Sequence, residues 1–460
     1  MRPRTPLLLT FLATVLRAFA AAQTMPAMPG MSQPTTLIDT VRQHTSSGTS
    51  IEPATTPVEM WMAMHGNWML MLHGLASVSG TFQHAAINTG PSPSECALYG
   101  ITPCLAAEDR AKNAAFSTNW VMPMAMRTWG PQSGLRQTLT LRAMLSLEPA
   151  TIRNGRYPEL FQQGETYNGD PIVDGQHPHD FVMELAALYD LQLGKQSLLS
   201  LYAAPVGDPA IGPTAYPHRA SAAEDPIAAL GHHQEDSTHI AFSVVTGGLT
   251  WKWIRFEESG FHGAEPDEHR WQFQPSPNGL AIDSYSSRVT VSPAKDWTGQ
   301  YSWAHIARPE QLYPGEDQQR QTVSAMYSRS WQKDGIDATI IWGRTRSLSD
   351  NVKENSYLAE LLWRFANKNH LWTRIENAGR TSELLLQPGS PLPPAFEEQP
   401  IGHVAAWSFG YDRDYQVAPH LAAAPGAQFT TYRTPEQLVS TYGSNPAGFV
   451  FFVRFRVTSK

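Results

Sequence analysis

From Gly134 the chain reads GLRQTLTLRAMLSL. Leu135, Leu139, Leu141, Leu145 and Leu147 fall on one face, and Arg136, Thr138, Thr140, Arg142 and Ser146 on the other. Strict alternation over more than ten residues predicts a strand, because successive side chains point to opposite sides of a pleated backbone. The pattern recurs at Ser356–Phe365, where Tyr357, Leu361, Trp363 and Phe365 oppose Ser356, Glu360 and Arg364. It recurs again at the end of the chain, where Phe449, Phe451, Val453, Phe455 and Val457 oppose Arg454 and Arg456.

Marking every such stretch predicts about sixteen strands. They lie near 66–82, 115–129, 134–147, 181–193, 196–204, 237–246, 249–261, 281–292, 297–307, 319–332, 335–345, 354–366, 369–378, 401–414, 419–431 and 447–457. The connections alternate in length. Short ones are expected at 130–133, Gly194-Lys195, Gly247-Gly248, 293–296, Lys333-Asp334, Asn367-Lys368 and 415–418; long ones include 83–114, 148–180, 205–236, 262–280, 308–318, 379–400 and 432–446. A soluble sandwich gives no reason for this alternation. A transmembrane up-and-down barrel does, since one rim carries tight periplasmic turns and the other long outer loops. An even strand number leaves both ends of the barrel on the periplasmic side, and strands of ten or so residues suffice to cross a bilayer obliquely. Trp68, Trp129, Trp251, Trp297 and Trp331 all lie close to the expected short-turn rim, where an interfacial aromatic girdle belongs.

Composition agrees. Charged residues make up 16% of the chain, while it carries 14 Trp, 15 Tyr and 18 Phe. After residue 22 no apolar run is long enough for a membrane-spanning helix. Met1–Gln23 has the form of a secretory signal: Arg2 and Arg4, an apolar centre from Pro6 to Leu16, and Ala20-Ala21-Ala22 before the expected cut. Residues 1–22 hold three Arg and no acid, so their removal takes the formal charge from −7 to −10. That sign, with no long basic stretch, argues against a nucleic-acid partner. The expected organisation is a signal peptide at 1–22, a flexible Met-, Pro- and Thr-rich lead-in at 23–65, and a barrel at 66–460. About 43 lead-in residues look too few for a globular plug. Export also makes a local disulfide between Cys96 and Cys104 plausible.

With these features in place the chain resembles the porin-like outer-membrane barrels of Gram-negative bacteria over roughly residues 66–460. It also resembles a group of exported barrels with a Met-rich N-terminal segment and a GQHPHD-type loop, here Gly175-Gln176-His177-Pro178-His179-Asp180. The resemblance implies the fold and the outer-membrane location; the partners expected with them are outer-membrane lipid, small solutes or metal ions, and further copies of the chain. One departure is the C-terminus: Phe455 is followed by Arg-Val-Thr-Ser-Lys, where such barrels commonly end on an aromatic residue.

Three features carry candidate chemistry. The expected inward faces hold Arg136, Arg142, Glu184, Asp190, Arg288, Glu360, Arg364, Arg454 and Arg456, a lumen of mixed sign. Sixteen strands leave room for an aqueous channel. His177, His179 and Asp180 on one long loop, and His232 and His233 on the next, offer imidazole and carboxylate ligands suited to Zn, Cu or Ni. Met25, Met28 and Met31 in the lead-in offer thioethers, which select Cu(I). Further methionines follow at Met69, Met71, Met122, Met124 and Met126; Trp120 shares their face on the second strand, which favours a lipid-facing reading there. No nucleophile elbow, HExxH or phosphate-binding loop is present. The expectation is a non-enzymatic pore for small solutes linked to copper or a similar metal. A general porin and a barrel-embedded hydrolase are the alternatives; Ser, His and Asp are abundant, as in Asp236-Ser237-Thr238-His239, but no catalytic residues are assigned.

Overall fold

The computed structural model describes residues 34–86, 90–105, 110–131, 135–236, 241–271 and 279–459. Met25, Met28, Met31 and the expected signal peptide lie outside them, as does His239. Eighteen strands join in one antiparallel sheet. Sixteen are the staves of a closed barrel: β1 Trp68–His84, β2 Ala114–Trp129, β3 Leu135–Leu145, β4 Val182–Leu193, β5 Ser197–Gly207, β6 Ala241–Trp251, β7 Ile254–His262 and β8 Ser284–Ala294, then β9 Trp297–Ile306, β10 Gln318–Trp331, β11 Asp334–Ser347, β12 Lys353–Phe365, β13 Asn369–Thr381, β14 Pro400–Arg413, β15 Leu421–Arg433 and β16 Ala447–Val457. Each stave pairs with the next, and β1 pairs with β16 from Leu75↔Arg456 to His84↔Ala447, which removes any free sheet edge. The two remaining strands are extensions. Trp61–His65 turns at Gly66 and pairs with the start of β1, and Tyr415–Ala418 continues β14.

The alternation read from the sequence becomes an inside and an outside. On β3, Leu141 is 46% exposed and its neighbour Arg142 only 2%. On β16, Phe451 is 55% exposed and Arg454 only 2%. Apolar side chains outward and charged ones inward invert the arrangement of a soluble protein. They identify a transmembrane barrel of the outer-membrane type with lipid as its outer partner. Trp129, Trp251, Trp297 and Trp331 are exposed near the short-turn rim, forming the expected girdle.

Four expectations need correction. Gly247-Gly248 is no turn: both glycines lie within β6, and the chain turns at Lys252-Trp253, with Lys252 at φ 54°. A Cβ on Gly248 would stand 2.6 Å from the Arg255 guanidinium, so that glycine makes room for a lumen arginine. Residues 415–418 are likewise strand, the turn falling at Pro419-His420. The methionines of β2 face the lumen: Met122, Met124 and Met126 are buried while Val121 is 37% exposed. Their neighbour Trp120 packs inside against His73 and His218.

The fourth correction concerns the lead-in. Its residues from Thr35 to Met60 are not a loose tail but run inside the barrel. A short helix at Leu37–Gln43, capped by the Thr36 hydroxyl, packs Leu37, Ile38 and Val41 with Ile51 and Leu198. Beyond it, Arg142 of β3 holds the segment. Its guanidinium donates to the carbonyls of His44 (3.2 Å), Ser46 (2.6 Å) and Gly48 (2.6 Å), and to both Glu184 oxygens at 2.7 and 2.8 Å. His44 Nε2 lies 2.6 Å from Asp190, and Arg288 donates to the Thr49 hydroxyl at 2.7 Å. Twenty-odd residues therefore suffice as a plug, because wall arginines supply the fixing that a small globular core would otherwise need.

A second segment, residues 208–236, also descends into the lumen. Arg219 bridges Glu360 of β12 (2.8 Å) and Asp236 (2.9 Å), Arg374 of β13 meets Asp225 (3.0 Å), and Glu224 is clasped by Arg454 and Arg456. Such buried pairs persist only where both charges are well matched, since a single unpaired ion inside the wall is costly. Four of the other long connections share an apolar core at their rim, with Cys96 and Tyr99, Leu160, Phe161 and Val173 against Leu384, Leu385 and Tyr442. Cys96 and Cys104 are joined in the first of them, as expected.

Candidate functional site

The connection 146–181 between β3 and β4 is folded rather than loose. Tyr157-Pro158 pairs with Gly175-Gln176, and Glu165–Tyr167 forms a small hairpin with Asp170–Ile172. Asp174 anchors the returning limb. It accepts from Phe161 N at 2.8 Å and from Arg110 Nη1 at 3.0 Å, while the Arg110 guanidinium stacks 5.1 Å from the Tyr442 ring centre. This frame sets Glu165 and His177 side by side. A one-turn helix, His232–Glu235 in the next long connection, brings His233 to the same place. The Ser356 hydroxyl of β12 fixes that helix by donating to Glu235 at 2.7 Å.

His177 Nε2 lies 3.1 Å from Glu165 Oε1, and His233 Nε2 lies 3.8 Å from the same oxygen. Ligand atoms of Glu165, His177 and His233 all fall within 4.8 Å of one another. Two imidazoles and a carboxylate in this spacing match the donor set preferred by Zn(II), Cu(II) or Ni(II). Burial would raise the Glu165 carboxyl, but the charges of His177, Arg270 and His233 outweigh it and hold the group well below the usual carboxylate range. The group therefore stays anionic.

The other sequence-predicted ligands lie in the same patch but have separate partners. His179 is taken by Glu148, Nδ1 to Oε2 at 2.9 Å. Burial works against both charges, yet their mutual attraction prevails: Glu148 is held below its ordinary range and His179 above. Asp180 faces Arg270 at 3.3 Å. His232 Nδ1 donates to the Ala229 carbonyl at 2.7 Å, and burial, reinforced by His233, pushes the ring well below its ordinary range. The imidazoles still form one array, with His177 and His179 rings 6.3 Å apart, His177 and His233 6.1 Å, and His232 and His233 4.2 Å. Glu165 was missed by sequence reasoning, since nothing in GETYNGD marks a ligand until the hairpin folds it against His177.

His233 also lines a cavity of about 570 Å³ at the long-loop rim. Its wall carries Glu310, Glu316, Asp350, Glu354, Glu397 and Glu398 against Arg320 and Arg380. Six carboxyl groups against two guanidinium groups make the vestibule acidic by formal charge, and Arg380 donates to the carbonyls of Phe161 (2.7 Å) and Leu230 (2.5 Å). Burial, and then the charges of Glu398 and Glu265, push the Glu310 carboxyl up to about 8. A second cluster of ligand type, Glu224, His370 and Asp412, lies deeper. Arg454 contacts Glu224 and Asp412 and Arg456 contacts Glu224, so cationic side chains already fill the place an ion would take. Residues 237–240, which carry most of the Asp236–His239 stretch, lie outside the described residues.

No protein-family model and no curated protein matches the sequence. Among solved structures the chain is similar to Salmonella typhi OmpF in complex with daunomycin, at 10% identity and a TM-score of 0.49, covering 86% of this chain and 99% of that one. It is similar also to an anion-selective porin from Comamonas acidovorans, at 10% identity and 0.47, covering 85% and 99%. A third is OccK11 of Pseudomonas aeruginosa, at 10% identity and 0.34, covering 84% and 96%.

Proposed function

We propose that the protein is an outer-membrane channel of Gram-negative type with a plugged lumen, which draws small cationic solutes into its acidic vestibule. A divalent transition-metal ion is the solute best matched to the ligands there. Glu165, His177 and His233 hold it, while His179, Asp180 and His232 position and screen the site through their own partners. The carrying observation is the convergence of these three side chains, from two separate loops, at the edge of a cavity walled by carboxylates. A carboxylate-rich concavity raises the local concentration of cations. In this reading Met25, Met28 and Met31 are a separate set of thioether ligands suited to copper.

The test has two arms. In planar bilayers under a salt gradient, the reversal potential reports cation preference. By calorimetry, Zn(II) or Cu(II) binds the folded protein, and H177A and H233A each lower the affinity by about tenfold or more, as loss of one of three ligands requires. A folded barrel that conducts without cation preference, and binds no metal, returns the reading to a general porin. The ion contact of Arg270 with Glu165 at 3.6 Å favours that second reading, since it already balances the carboxylate.

A further inference from the structure

The lumen face of β1 to β3 carries a row of thioether and imidazole side chains. On β1 and β2, Met71 is directly opposite Met124, and His73 directly opposite Met122. The pairs Val121↔Leu145 and Met124↔Arg142 bracket the next register, placing Met122 opposite Met144 of β3. Side chains so paired have Cβ atoms about 5 Å apart. Met71, Met122, Met124 and Met144 are all buried, Met122 completely. From the inserted segment 208–236, His218 reaches this row: its Nε2 lies 2.9 Å from Met144 Sδ. The His73 and His218 rings are 5.9 Å apart, both against Trp120 at 4.7 and 4.2 Å.

The buried Nδ1 atoms of both His73 and His218 lack a hydrogen-bond partner. Buried polar atoms are nearly always satisfied, and water or a bound ion would satisfy these two. Two such atoms beside a row of thioethers suit a ligand that accepts both donor types.

We infer that Met71, Met122, Met124 and Met144, together with His73 and His218, form a binding site for a soft monovalent ion, Cu(I) or Ag(I), within the barrel. Thioether and neutral imidazole select Cu(I) over the harder divalent ions, and this row contains no carboxylate to reverse the preference. A single positive charge also suits the position beside Arg142, where a divalent ion would meet stronger repulsion. The site goes beyond the vestibule reading and stands on different residues and a different oxidation state.

The experiment uses the full chain carrying M25L, M28L and M31L, so that the tail contributes no thioether. Ag(I) is titrated in detergent, and Cu(I) under reductant against a chromogenic chelator. X-ray absorption on the loaded protein reads the ligands. The expected result is one ion per chain with sulfur and nitrogen neighbours, and an affinity about 100-fold weaker in M122L/M144L, which removes two soft ligands while keeping side-chain volume. H177A/H233A should leave this binding unchanged, so failure of the vestibule reading is distinguishable from failure here. The gel shift between heated and unheated protein confirms that each variant is folded. No bound ion, only oxygen and nitrogen neighbours, or an unchanged affinity in folded M122L/M144L would overturn the inference.

Discussion

The segment inside the barrel hangs chiefly on Arg142, so removing that side chain should open the lumen. Three of its hydrogen bonds go to plug carbonyls, at 3.2, 2.6 and 2.6 Å, and two to Glu184 on the neighbouring stave. At about 1.5 kcal/mol for each charge-assisted bond, the plug loses roughly 4.5 kcal/mol of attachment. With tenfold for each 1.4 kcal/mol, the released population rises about a thousandfold. R142M alone would strand Glu184 as an unpaired buried charge and weaken the wall itself. The informative variant is therefore R142M/E184Q, which keeps volume and removes both charges. Arg288–Thr49 and His44–Asp190 remain, so the segment should fluctuate out rather than be lost. Bilayer recordings should show a large rise in open probability, and trypsin should cut after Arg42, with the fragment read by mass spectrometry. A folded R142M/E184Q barrel with wild-type conductance and an intact Arg42–Gln43 bond would refute the latch.

Glycine substitutions probe the same segment. G48A forces an L residue to φ +58° with its Cβ 2.5 Å from Asp208 Cβ, and should raise conductance; G66A has a similar φ but open space, and should cost only about 1 kcal/mol in thermal unfolding with conductance unchanged. The vestibule should gain cation preference as pH rises from about 7 to 9, because Glu310, pushed up to about 8, ionises in that window. Reversal potentials should follow this rise in wild type and follow it less in E310Q. The same shift has a stability sign: between the ordinary carboxylate range and about 8 the folded state binds the proton that the unfolded chain has released. Stability therefore falls with rising pH across that interval, and unfolding in denaturant at pH 6 and 9 should show a smaller fall in E310Q. On the outer face, L141K places a charge in lipid and should lower barrel stability by about 2–4 kcal/mol, whereas an exposed loop position such as Leu98 should tolerate lysine.

Much of this architecture was legible because its cause is local. Period-two alternation fixes a strand wherever one face meets lipid and the other water, and all sixteen staves fall within a few residues of their expected places except where glycines mislead. The Gly247-Gly248 pair resembles turn chemistry, yet Gly248 makes room for a lumen arginine. The direction of a strand's faces was harder where both are apolar. Trp120, Met122, Met124 and Met126 oppose Val121, Pro123 and Ala125, so polarity could not say which set meets lipid.

The sequence by itself determined a closed, membrane-spanning barrel, its long-loop and short-turn rims, its charged lumen and its aromatic girdle, because each follows from spacing within one strand or from neighbouring connections. Only the tertiary structure decided what fills that lumen and which ligands meet. Arg142 grips Gly48 across 94 positions of chain, and Glu165 reaches His233 from a different loop. Contacts of that kind depend on loops folding back into a closed space, where each charge must find a partner because water is no longer there to solvate it.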